Sequence, residues 1–165
     1  MKHVLLIRHA KSSWGDPGLP DFDRPLNERG KNDAPQMAQR LLARSIDIDS
    51  FISSPAKRAR KTASLFATEY KVNKEDILLV PELYHASPVN FFEAILKAPE
   101  AANTIAVFSH NPGITEFVNM LTEVRIDDMP TCAIFGVQVD AQQWSQFKEA
   151  PKTFWFFDYP KSFSV

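Results

Sequence analysis

Along the chain, apolar residues come in short runs, and most of these runs end in a polar turn. Residues 4–7 form the first run, too short for a helix and suited to a buried strand. Residues 49–54, centred on Phe51 and Ile52, predict a second strand. Residues 77–80, ending at Pro81, predict a third, and residues 104–108, rich in β-branched and aromatic side chains, a fourth. Between these runs the spacing becomes helical. Asn27 fits an N-cap with Glu28 in the first turn, and Ala34, Met37, Ala38, Leu41 and Leu42 recur on one face. Pro35 lies inside this helix and should bend or restart it. Ser54 reads as the cap of a second helix with Pro55 at its first position, burying Ala59, Thr62, Ala63, Phe66 and Tyr70. Phe91, Phe92, Ile95 and Leu96 mark a third helix that stops before Pro99, and Phe117, Val118 and Leu121 a fourth. Residues 133–139 and 153–159 read as two further strands that could pair antiparallel on one edge, with a loop or short helix around Trp144 between them. Strands alternating with helices indicate βαβ units and an open, mainly parallel sheet, whose strand ends share one edge.

Three of those strand ends carry reactive groups. The first strand runs into Arg8-His9-Ala10-Lys11-Ser12. His9 offers a nitrogen nucleophile usable near neutral pH, and Arg8 and Lys11 offer positive charge. Together with the hydroxyls of Ser12 and Ser13 and the backbone leaving the strand, these groups suit an oxyanion, above all a phosphoryl group. A hydrogen-bonded loop role for His9 is the alternative. The second strand ends in Ser54-Pro55-Ala56-Lys57-Arg58-Ala59. Arg58 sits where the helix dipole disfavours a cation, which makes sense if it serves an anion. Lys57, Arg60 and Lys61 read as solvated surface charges. The fourth strand ends in Ser109-His110-Asn111-Pro112-Gly113. Residues 15–25, punctuated by Gly15, Pro17, Gly18, Pro20 and Pro25 and kept wet by Asp16, Asp21 and Asp23, form either a lid or substrate-facing wall or a solvated connection.

Composition narrows the class. The length of 165 residues suits one domain, residues 1–165, and 44% hydrophobic residues, 13 Phe among the aromatics, exclude a disordered chain. The single cysteine, Cys132, leaves no partner for a disulfide within the chain and reads as a buried small residue, in keeping with a reducing cytoplasm. Nineteen Lys and Arg face 20 Asp and Glu, so a nucleic-acid partner is not expected. The apolar run near the N-terminus is too short for a signal peptide core, and nothing reaches the length of a membrane span. The expectation is a soluble, cytoplasmic protein.

Taken in order, the three motifs resemble those of the histidine phosphatase superfamily, with its phosphoglycerate-mutase-like fold. Arg8-His9-Ala10 matches the family's Arg-His-Gly/Ala, and Ser54-Pro55-Ala56-Lys57-Arg58-Ala59 matches Ser-Pro-x-x-Arg-Ala. Ser109-His110-Asn111-Pro112 matches Gly-His-Asn-Pro, with Ser where Gly is usual, and Leu26-Asn27-Glu28-Arg29-Gly30 is a further landmark. The resemblance implies a three-layer α/β/α fold with a mostly parallel sheet and an antiparallel edge. It implies that His9 attacks phosphorus and becomes phosphohistidine, while Arg8, Arg58 and His110 bind the phosphoryl oxygens. No metal or other cofactor is implied, since cationic side chains fill that role, and the sequence shows no compact metal-ligand pattern. Many members carry a Glu acid in a Leu-x-Glu pattern; here Leu83-Tyr84-His85 puts His85 in its place, with Glu82 nearby and a site lacking any acid as the further alternative. The short length resembles the SixA-type branch, which acts on phosphohistidine in proteins. The partner is then a phosphorylated protein or a small phosphoester. A phosphoglycerate-type mutase and a phosphate- or phosphopeptide-binding module without turnover are the competing readings.

Overall fold

A computed structural model describes residues 1–163. Its centre is a six-stranded sheet formed by β1 (Lys2–Arg8), β2 (Ser50–Ser53), β3 (Leu78–Leu79), β4 (Thr104–Ser109), β5 (Ile134–Val139) and β6 (Lys152–Asp158). The spatial order is β3-β2-β4-β1-β5-β6. Strands β1 to β4 run parallel, while β5 pairs antiparallel with β1 and β6 antiparallel with β5. The expected antiparallel edge is present, with a single 3-10 turn, Trp144–Gln146, between its strands.

Four α-helices accompany the sheet among the described residues: α1 (Glu28–Ala43), α2 (Lys57–Glu69), α3 (Pro88–Ile95) and α4 (Gly113–Val118). Alternate residues of β1 face opposite layers. Leu5 and Ile7 pack with Met37, Leu41 and Phe66 of α1 and α2, whereas Val4 and Leu6 pack with Phe91 and Phe117 of α3 and α4. A strand buried on both faces needs the near-continuous apolar run that residues 4–7 supply. From β1 the chain steps outward to β2 and β3, then returns to insert β4 between β2 and β1. This reversal is the crevice-forming switch of open α/β sheets. No helix of the described residues is long and apolar enough to cross a membrane.

Several boundaries differ from the sequence expectation. Asn27 caps α1 as expected, its side-chain oxygen accepting from the Gly30 N–H at 2.9 Å, but α1 runs through Pro35 without restarting. Leu42 and Leu96 are exposed rather than core, because each follows the last inward turn of its helix. Leu121 is buried but lies beyond the end of α4. Ser54 does not cap α2 and Pro55 is not its first residue; the helix begins at Lys57, after an extended Ala56. The reason is tertiary: the Ser54 N–H is spent on the Phe108 carbonyl, and its hydroxyl accepts from the Ala56 N–H while facing His110. Tyr70 is half-buried at the end of α2, where its hydroxyl donates to the Ile46 carbonyl.

Candidate active site

The C-terminal ends of β1, β2 and β4 open onto a cleft of about 670 Å³ that Arg8, His9, Arg58, His85 and His110 all line. Main-chain bonds fix its floor. The His9 N–H donates to the Ser109 carbonyl, joining the ends of β1 and β4. The Ala10 N–H donates to Thr62 Oγ1 at 3.0 Å, and that hydroxyl donates to the Arg58 carbonyl at 2.7 Å. Thr62 thus joins the segment after β1 to the first turn of α2. Cys132 lies fully buried behind this floor, its N–H shared between the Arg8 and His9 carbonyls, and burial pushes its thiol pKa up. It is a packing residue, as its sequence context indicated.

His9 is held in one tautomer. Its Nδ1–H donates to the Ala10 carbonyl at 2.7 Å, so Nε2 keeps its lone pair and accepts from Arg58 Nε at 3.3 Å. Burial lowers its pKa to about 3; the hydrogen bond to the Ala10 carbonyl opposes this, and the charges of Arg58, Arg8 and Arg24 add to the lowering. A neutral imidazole with a free nitrogen among cations is the state a nucleophile requires. The His110 ring lies 5.2 Å from that of His9. Burial, together with His9 and Arg58, depresses its pKa to about 2. Its Nε2 meets Ser54 Oγ at 2.8 Å. In the tautomer whose Nε2 accepts the serine proton, Nδ1 of His110 is the protonated nitrogen. His110 Nδ1 and Arg8 Nε are buried nitrogens with no partner. Buried donors without acceptors are costly, and an anion bound in the cleft offers acceptors.

The second wall comes from the segment that was a wall or a solvated connection by sequence. Residues 15–25 fold back over the strand ends. Asp21 takes Arg58 Nη2 at 3.0 Å on its carboxylate and Arg58 Nη1 at 2.7 Å on its carbonyl. Arg24 reaches Asp21 Oδ1 at 3.1 Å, donates to Ser12 Oγ and stacks on Trp14, its guanidinium carbon 3.7 Å from the ring centre. Tyr84 donates to Asp21 Oδ2 at 2.6 Å. This bond, with those from Arg58 and Arg24, holds the Asp21 carboxyl well below the usual carboxylate range. Asp21, Arg24 and Tyr84 were not singled out by the sequence analysis. Pro and Gly spacing marks a loop without saying which way it folds.

The remaining candidates separate. His85, with a left-handed φ of 59°, sits on the cleft wall with its ring 4.0 Å from that of Tyr84. Glu82 does not reach the cleft; it is exposed on the 3-10 turn Pro81–Leu83 and faces Lys97 at 4.0 Å. Ser109, which stands where the family usually has Gly, is buried and donates to the Leu83 carbonyl at 2.7 Å, tying the His85 loop to β4. Lys57, Arg60 and Lys61 point to solvent, as expected.

The family model of the histidine phosphatase superfamily (branch 1) matches residues 4–83, which hold the first two motifs. An uncharacterized Mycobacterium tuberculosis protein, Rv1276c, is 30% identical over 122 residues, covering 74% of this chain and 73% of that one. In fold, the chain matches a SixA protein from Agrobacterium tumefaciens at a TM-score of 0.80 and 24% identity, covering 96% of this chain and 98% of the other. It also matches the protein histidine phosphatase SixA complexed with tungstate, at a TM-score of 0.81 and 22% identity, covering 96% and 97%. These matches, set on a floor that holds a neutral histidine among arginines, give the conclusion that the chain belongs to the histidine phosphatase superfamily, as a phosphatase with the SixA fold.

Proposed function

We propose that the chain removes phosphate from phosphohistidine in proteins by way of a phosphoryl intermediate on His9. The observation that carries this reading is the state of His9: Nδ1–H anchored on the Ala10 carbonyl, Nε2 unprotonated, and the Arg58 guanidinium beside it. In the first step the Nε2 lone pair forms a bond to phosphorus, and the bond from phosphorus to the leaving nitrogen breaks in line. Arg58 turns its Nε–H from His9 to a phosphoryl oxygen, and Arg8, Arg24 and His110 Nδ1–H take the others. Preorganised donors of this kind supply most of what phosphoryl transfer needs. In the second step water attacks phosphorus, the Nε2–P bond breaks and its electron pair returns to His9, while the water's extra proton passes to solvent. With Glu82 outside the cleft, His85 is one of the cleft-lining groups, with Glu116, that could protonate a leaving group. An imidazole leaves readily and needs little such help, which supports a phosphohistidine substrate over an alkyl phosphate. The tungstate bound by the SixA protein of the same fold, a tetrahedral oxyanion, is in keeping with this chemistry.

The test is a comparison of phosphate release from a histidine-phosphorylated protein, an aryl phosphate and sugar phosphates, with acid-labile phosphate trapped on His9. His9→Ala should lose ~10⁴-fold or more in kcat/KM, as nucleophile removal does elsewhere. Full activity in that variant, or a trapped phosphate on another residue, would refute the proposal.

A further inference from the structure

The outer face of α2 carries a second concave surface, with a volume of about 1080 Å³, that shares no lining residue with the cleft. Lys57, Arg60 and Lys61 of α2 and Lys71 and Lys74 of the segment after it line this groove, against one carboxylate, Glu75. None of the five cations makes an ion pair with another described residue. The chain as a whole carries a net charge of −1, so the concentration is local and not compositional. It also works against stability. The first turn of α2 holds no acidic residue, and cations near a helix N-terminus are disfavoured by the helix dipole.

The rest of the groove is not polar. Leu65, Val72, Ile77 and Leu79 supply apolar surface beneath the cations. Leu79 belongs to β3, a two-residue edge strand that pairs with β2 alone among the described residues. An open strand edge presents main-chain N–H and C=O groups to an incoming extended chain. A nucleic acid would use the cations but neither the apolar surface nor the strand edge. A polypeptide that alternates acidic and apolar residues uses all three.

We propose that this groove docks an extended acidic segment of the phosphoprotein substrate, with main-chain pairing along β3 and carboxylates meeting Lys57, Arg60, Lys61, Lys71 and Lys74. The proposal rests on the phosphoprotein reading of the cleft, and α2 connects the two: Arg58 reaches the cleft floor while Lys57, its neighbour, lines the groove. A partner seated on the outer face of α2 therefore reaches the cleft around the start of one helix.

The probe is a fluorescent twelve-residue peptide of alternating Glu and Val, followed by anisotropy at low and high salt, with a Lys-Val peptide and a single-stranded DNA of equal length as comparisons. The acidic peptide should bind the wild type, weaken with salt, and bind the Arg60→Glu/Lys61→Glu/Lys74→Glu variant about tenfold or more weakly, as expected for charge reversal at a complementary surface. The same variant should hydrolyse an aryl phosphate within about twofold of the wild type, since none of the three residues lines the cleft, and this also reports that it folds. On a phosphohistidine protein with an acidic flank, its loss should fall on KM. No binding of the acidic peptide, equal binding by both proteins, or tighter binding of the DNA would overturn the proposal. His9→Ala should bind the peptide as the wild type does, so a failure of the hydrolysis reading leaves this result standing and the two are told apart.

Discussion

The two sides of the cleft differ in what holds them. The floor, built at the ends of β1, β2 and β4, is dry: Arg58 is 5% exposed, and His9 and His110 are comparably buried. Its backbone is fixed by main-chain bonds and by Thr62, which answers two elements at once, and only the Arg58 guanidinium reaches across to Asp21. The facing wall, built from residues 15–25 and the Tyr84–His85 turn, is wetter: the Asp21 side chain is 45% exposed, and His85 lies on the surface. Its order comes from side chains meeting side chains, with Asp21 at the hub of Arg58, Arg24 and Tyr84. The floor can therefore hold fixed charge against the transition state, while the wall can adapt to whatever leaves. Substitutions on the floor should cost turnover on every substrate, and those on the wall should cost less and depend on the leaving group.

Arg58→Ala gives the largest expected effect. It removes a guanidinium that touches His9 Nε2 and would bind a phosphoryl oxygen, and it frees Asp21 from one of its partners. Loss of one preorganised donor of this kind costs about 10²–10³-fold in kcat. The loss should be similar on aryl phosphate and on phosphohistidine protein. Arg58→Lys should recover only part of it, because an ammonium cannot reproduce the planar fork. A loss confined to one substrate would move Arg58 from the floor to the wall.

Gly113→Ala probes how the wall is seated on the fold. A Cβ at Gly113, the first residue of α4, would lie 2.1 Å from the Ala86 carbonyl oxygen. Backbone cannot yield as a side-chain tip can, so either α4 or the His85 loop must shift. A cost of about 1–3 kcal/mol is expected for such overpacking, read as a lowered midpoint in thermal or urea unfolding. If stability falls while the ratio of phosphohistidine to aryl phosphate turnover stays fixed, the position of the His85 loop does not select the leaving group. A changed ratio would place that selection in the loop.

What the sequence made legible follows the same division. Floor residues stand at strand ends, and strand ends can be read from apolar runs that stop abruptly; hence Arg8, His9, Arg58 and His110 were identifiable from short segments far apart in the chain. The core faces of α1 and α2 were legible for the same reason, apart from Leu42, whose period fits but whose turn has already rotated outward. The start of α2 was misplaced because Ser54 looks like a cap, and only the neighbouring β4 and His110 show that its N–H and hydroxyl are already committed. The wall was not legible. Asp21 reads as one of three solvating aspartates, and nothing near it in sequence announces partners at positions 58 and 84. Its role is created by the loop folding back, which is a tertiary event. Ser109 is intermediate: the departure from glycine could be seen, but its use, holding the Leu83 carbonyl, could not.

Asp21→Asn should have the smallest effect, and it tests whether floor and wall compete. The Asp21 carboxylate occupies Arg58 Nη2, a donor that a phosphoryl oxygen would also use. Because its pKa is held below the ordinary carboxylate range, first by Tyr84 and then by Arg58 and Arg24, it stays charged at every pH where the protein would be assayed. Asparagine keeps the shape and removes the charge. Inorganic phosphate should then inhibit more tightly, by about three- to tenfold, a modest value because the Asp21 side chain is 45% exposed and its pairing is screened. The acid side of the stability profile should change as well. A carboxyl whose folded pKa lies below its unfolded value adds stability above the unfolded pKa, near 4, and loses it as pH falls through the folded value. The Asn variant lacks that contribution, so the difference in unfolding midpoint between the two proteins should be largest at neutral pH and shrink as the pH drops below about 4. Weaker phosphate inhibition in the variant would mean that Asp21 serves the floor by aiming Arg58, and that the wall is part of the anion site rather than its competitor.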